Sequence, residues 1–127
     1  PAEARDTLAS RLQPFAEATY LHQVIERRPD GALHRYRDLP EALPHLPDTP
    51  GEEWRIHYHV PLFTEAYGAL RSTQRDITRT LDVLRDDPVC THLEIETYTW
   101  DVLPDGLKTD LPASLQREFE WVLAEMS

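Results

Sequence analysis

The sequence predicts an α/β fold: three β/α units of a (β/α)8 barrel, forming one partial domain over residues 1–127 with its upstream units missing. Three observations predict it. Strand-like segments alternate with helix-like ones, the pattern of βαβ units and a parallel sheet. The strands carry imidazoles and carboxylates on one face and apolar side chains on the other, which suits a barrel mouth better than the doubly covered strands of an open parallel sheet. At 127 residues the chain also falls well short of the roughly 250 that a closed barrel takes.

Residues 2–13 read as a helix, with Leu8 and Leu12 one turn apart and Pro14 halting it. The aromatic and β-branched run 19–25 reads as the first strand. Arg28-Pro29-Asp30-Gly31 is a turn signal, after which 32–37 returns as a short hairpin strand. Asp38 is placed to cap a short helix through Glu41 and Leu43, with Pro40 in its first turn. Pro44, Pro47 and Pro50 then impose an extended loop. Residues 54–60 alternate apolar with polar and form the clearest strand, ended by Pro61. Ser72 or Thr73 caps a helix with Ile77, Leu81 and Leu84 on one face, closed by Asp86-Asp87-Pro88. Residues 92–98 are a third alternating strand. Asp110 and Pro112 open a last helix whose expected buried stripe is Leu115, Phe119, Val122 and Met126. The handedness of βαβ crossovers puts the helices on one side of the sheet.

Because side chains alternate across a strand, Arg55, His57 and His59 share one face of the second strand, and His92, Glu94 and Glu96 share one face of the third. His22 lies on one parity of the first strand, between Tyr20 and Val24. His22, His59 and Glu96 stand nearest the C-terminal strand ends, where barrel active sites form. Neutral imidazole and carboxylate suit a divalent cation such as Zn, Mn, Mg or Co. His57 and Glu94 are expected to support these ligands from behind. His34, His45 and His92 read as core histidines. The competing reading of Glu94 and Glu96 is solvent exposure on an edge strand, which leaves the two histidines in register on the preceding strand unexplained.

Composition bounds the function. The net charge is -10, with 13 Lys and Arg against 23 Asp and Glu. Phosphate backbones and anionic membrane surfaces are bound by clustered cations, and none cluster beyond Arg27-Arg28, so neither is an expected partner. Cys90 cannot staple the fold alone and is expected to be buried. No run of 18 apolar residues is present to span a membrane. The chain begins Pro1-Ala2-Glu3 without a signal-peptide pattern, so a start inside a longer gene product and a cytoplasmic location are expected.

The segments Tyr20-Leu21-His22-Gln23-Val24, Ile56-His57-Tyr58-His59-Val60-Pro61-Leu62-Phe63 and His92-Leu93-Glu94-Ile95-Glu96-Thr97-Tyr98-Thr99-Trp100-Asp101-Val102-Leu103-Pro104 resemble the C-terminal signatures of the EboE metabolite-traffic proteins, members of the xylose-isomerase-like TIM-barrel superfamily of sugar phosphate isomerases and epimerases. The resemblance implies that the chain holds barrel strands six to eight. It places His22, His59 and Glu96 at their ends as metal ligands, with Glu96 also able to move a proton. The superfamily's ligands on strands four and five have no counterpart in this sequence. Tyr98 and Trp100 would wall the pocket. The implied function is metal-dependent isomerase or epimerase chemistry on a small polyhydroxylated or phosphorylated metabolite; alternatively, the same barrel binds or carries the metabolite without turnover. Either requires the rest of the barrel or self-association. A nuclease, known in another branch of the superfamily, fits poorly with the acidic charge. A free-standing small α/β module with structural histidines is the fourth reading.

Overall fold

A computed structural model describes residues 2–96 and 110–127. The chain is a mixed α and β protein in two compact units, Pro1–Tyr58 and His59–Ser127. Among the described residues no helix is long and apolar enough to cross a membrane.

In the first unit, the Ala- and Arg-rich start forms α1, Ala2–Leu12, and Pro14 tightens its end into a 3-10 turn, Gln13–Phe15. The predicted hairpin follows as β1, Val24–Arg27, and β2, Leu33–Tyr36, paired antiparallel with Val24 opposite Tyr36. Gly31 closes its turn at φ +82°, a left-handed conformation that glycine adopts without strain, and its N–H donates to the Arg28 carbonyl at 2.9 Å. Asp38 caps α2, Leu39–Ala42, through Oδ1, which accepts the Leu39 N–H at 2.8 Å.

The chain then crosses back and enters β3, Glu53–Ile56, which pairs antiparallel with β1, Val24 opposite Ile56. The sheet order is therefore β2-β1-β3. This corrects the expectation of a parallel sheet. The hairpin has already reversed the chain at β2. The segment after it leaves at the Val24 end and returns at the Arg27 end, so β3 runs with β2 and against β1. The strands are also displaced from the predicted spans. The Glu17 carboxylate accepts the Thr19 and Tyr20 N–H groups, and Asp38 Oδ1 accepts that of His22 at 2.9 Å, so these backbone donors are taken by side chains before a ladder forms.

The core of this unit is Leu12, Val24, Leu39, Ala42 and Leu46. Each of the leucines and Val24 contributes about 1.5–3 kcal/mol on leaving water. Fully buried among them is Glu26, whose carboxylate accepts from Thr49 Oγ1, from Arg28 Nε at 3.0 Å and from Trp54 Nε1 at 3.3 Å. Burial raises the Glu26 pKa, but these hydrogen bonds and the Arg28 charge outweigh it and hold the carboxyl below its usual range. His34, His45 and His92, expected in the core, are all exposed; the rings of His34 and His45 lie against Tyr36, at 4.6 and 5.5 Å between centroids.

The second unit opens with an irregular stretch. A small hairpin follows, β4, Ala66–Tyr67, and β5, Leu70–Arg71, turned by Gly68 at φ +64°. The sequence reading had no strand here. Ser72 Oγ then accepts the Gln74 N–H at the start of α3, Gln74–Asp86, whose Leu81 is buried. Asp110 caps α4, Leu111–Glu125, by accepting the Ala113 N–H.

Three expectations change in this unit. Residues 91–96 carry no strand, and the remainder of the predicted strand, 97–98, lies outside the described residues. Cys90 is exposed. The stripe on α4 is also displaced. Ser114 and Glu118 are buried and Leu115 and Val122 half-buried, while Phe119 and Met126 are 52% and 40% exposed. The periodicity along α4 was right, but the face turned inward is one residue away from the apolar one.

Candidate metal-binding site

The His59 and Glu96 side chains meet in the second unit: His59 Nε2 lies 3.3 Å from Glu96 Oε2. The His59 side chain is largely covered and that of Glu96 is open to solvent, with 27% and 61% exposure. Two ligand bonds of about 2.0–2.1 Å at a tetrahedral angle place their donor atoms roughly 3.3–3.4 Å apart. The observed separation therefore matches the bite of one divalent cation as well as a direct N–H···O contact. The pair supplies two of the donors such an ion takes. Among the described residues no group of three or more His, Cys, Asp or Glu side chains is arranged around one point.

The other predicted residues are distributed differently. His22 belongs to the first unit, buried just before β1, with its ring 5.2 Å from that of Tyr58 and its Nε2 3.7 Å from Glu17 Oε1. Burial pushes the Glu17 carboxyl up, yet the hydrogen bonds from Thr19 and Tyr20, with His22 nearby, hold it below its ordinary value. Tyr58 also packs on Phe15 at 4.8 Å, and burial raises its phenol pKa far above normal. His57 is exposed, with Nδ1 3.5 Å from Gln23 Oε1, while its N–H donates to the Gln23 carbonyl at 2.9 Å. Glu94 is exposed. Tyr98 and Trp100 lie outside the described residues.

The stretch that carries His59 is held by side chains. Tyr67 Oη donates to the Pro61 carbonyl at 3.0 Å, and Gln74 Nε2 donates to the Leu62 carbonyl at 2.7 Å. Ser72 Oγ donates to the Thr64 carbonyl at 2.8 Å. The Leu62 N–H donates to Glu118 Oε1 at 3.1 Å, and the Arg117 guanidinium lies 3.9 Å over the Phe63 ring. Glu118 is 6% exposed, and burial raises its pKa against the opposing effect of the Leu62 N–H. Sequence reasoning missed both Glu17 and Glu118. Glu17 carries no periodic signal. Glu118 has one, since it stands one turn from Ser114 on α4, a polar pair at core spacing beside the apolar stripe.

Comparison of the chain with family models, with curated proteins and with solved structures finds no match. The functional reading rests on the residues and their geometry.

Proposed function

We propose that His59 and Glu96 are ligands of a divalent metal in an isomerase- or epimerase-like protein that acts on a small polyhydroxylated or phosphorylated metabolite. The observation that carries this is the 3.3 Å approach of His59 Nε2 to Glu96 Oε2. Neutral imidazole with carboxylate is the donor set of Zn and Mn sites rather than of Ca sites. The metal would polarise the carbonyl oxygen of the bound metabolite. Glu96, open to solvent, takes the proton from the carbon next to that carbonyl and returns it to the same or the neighbouring carbon. His59, more deeply set, holds the carboxylate in place. The His59–Glu96 pair stands apart from any barrel: β1 and β3 pair antiparallel and residues 91–96 carry no strand, so strands six to eight of a parallel barrel form no part of this proposal.

Titration of the chain with Zn(II) and Mn(II), followed by a panel of sugars and sugar phosphates, tests the proposal. Metal uptake that falls at least about tenfold in H59Q and in E96Q is expected, with metal-dependent turnover lowered about 10²–10⁴-fold in E96Q. Metabolite binding without turnover converts the reading to a carrier. Metal affinity unchanged in both variants overturns it.

A further inference from the structure

We infer that Glu118 is a positioning residue for His59: by accepting the Leu62 N–H it clamps the chain just beyond His59 onto α4 and so fixes where the imidazole stands. The inference rests on the reading of His59 and Glu96 as the site, and it adds a residue that no motif indicated.

The first support is the cost of the arrangement. Among the described residues, this carboxylate, at 6% exposure, accepts a single backbone N–H. Burying such a group is unfavourable compared with an apolar residue of the same volume. The same helix face also buries Ser114, whose Oγ has no hydrogen-bond partner among the described residues. Meanwhile Phe119, Leu123 and Met126 of α4 stand exposed. A helix turned for stability alone would present its apolar stripe. This one presents Glu118 to the loop.

The second support is mechanical. Only Val60 and Pro61 separate His59 from the clamped Leu62 amide. Proline fixes its own φ and confines the residue before it to extended conformations. Few soft torsions remain between the clamp and His59, so a displacement of the Leu62 amide is transmitted to the imidazole. Neighbouring Pro61 is held at its carbonyl by Tyr67 and Leu62 at its own by Gln74, both neutral groups. Glu118 is the acceptor among these contacts, since Tyr67 and Gln74 both donate, so it alone of the three takes up the Leu62 N–H. Tyr67, on β4, is the titratable group that senses Glu118, and Arg117 beside it is engaged on Phe63.

The test compares E118L, which fills the volume without an acceptor, with E118Q, whose amide oxygen accepts the same N–H. Hydrogen exchange at Leu62, ¹⁵N order parameters at His59 and Val60, and Zn(II) affinity are measured on the 127-residue chain. E118L is expected to speed Leu62 exchange by about tenfold, to lower the order of His59, and to weaken Zn(II) binding by about 10–100-fold. E118Q restores all three. Leu62 exchange unchanged in E118L overturns the inference. So does faster exchange with His59 order and Zn(II) affinity unmoved. A wild-type chain that takes up no Zn(II) defeats the metal proposal alone, because exchange and order still decide the clamp.

Discussion

A β-carbon at Gly51 would stand 2.5 Å from Cγ of Glu26 and 2.9 Å from its Cδ. Glu26 cannot retreat, because Thr49, Trp54 and Arg28 hold its two carboxylate oxygens. Gly51→Ala is therefore expected to destabilise the protein by about 1–3 kcal/mol, the usual penalty of overpacking. Denaturant unfolding of the variant measures it, and an unchanged midpoint would show that the carboxylate can give way.

Glu26 itself makes stability depend on acid. Its folded pKa lies below the unfolded one, so its contribution is complete above the unfolded value and disappears as pH falls through the folded value. Glu26→Gln turns an amide N–H₂ toward donors and should cost about 1–3 kcal/mol at pH 7. Urea unfolding of wild type and variant across pH 2–7 should show the two curves converging at the acid end.

Glu118 has the opposite sign. Its folded pKa is raised, so the protonated form is favoured in the fold; its contribution is present below the unfolded pKa and is lost as pH rises through the folded one. Glu118→Gln should thus match wild type in acid and exceed it at pH 8, by about 1 kcal/mol or more if the site behaves like other buried ions replaced by neutral groups. Equal stability at both pH values would mean that the carboxylate is better solvated than its burial suggests.

Asp38 Oδ1 accepts two N–H groups at once, that of Leu39 at 2.8 Å and that of His22 at 2.9 Å. Asp38→Ala should cost about 1–2 kcal/mol through the lost cap and speed hydrogen exchange at His22, while Asp38→Asn retains an oxygen for both donors. Exchange at His22 that is the same in the Ala variant would separate the helix cap from the placement of the histidine.

The rotation of α4 is checked by setting an exposed residue of its expected stripe against a buried residue of α3. Leu81 is buried and Leu81→Ala should cost about 2–5 kcal/mol. Phe119, on the expected stripe but 52% exposed, should tolerate Gln to within about 0.5 kcal/mol. A large loss at Phe119 would return the helix to the orientation its periodicity predicts.

Local chemistry was legible in the sequence. The Asp38 and Asp110 caps, the Arg28–Gly31 turn, the Pro14 stop and the existence of α3 and α4 each depend on a few adjacent residues, and the structure has them where the residues required. Strand direction was not legible, because alternation along residues 54–60 reads the same in a parallel or an antiparallel ladder. The rotation of α4 was likewise undetermined. Its apolar stripe and its Ser114–Glu118 pair are each spaced for burial, and the contact that engages the second, the Leu62 amide, is distant in sequence. His59 and Glu96 were singled out from the sequence as residues of the right kind, on strand faces that residues 57–60 and 91–96 do not form. Their approach to 3.3 Å was decided by the tertiary structure, because distance between remote residues is a property of how the intervening chain packs and not of the residues themselves.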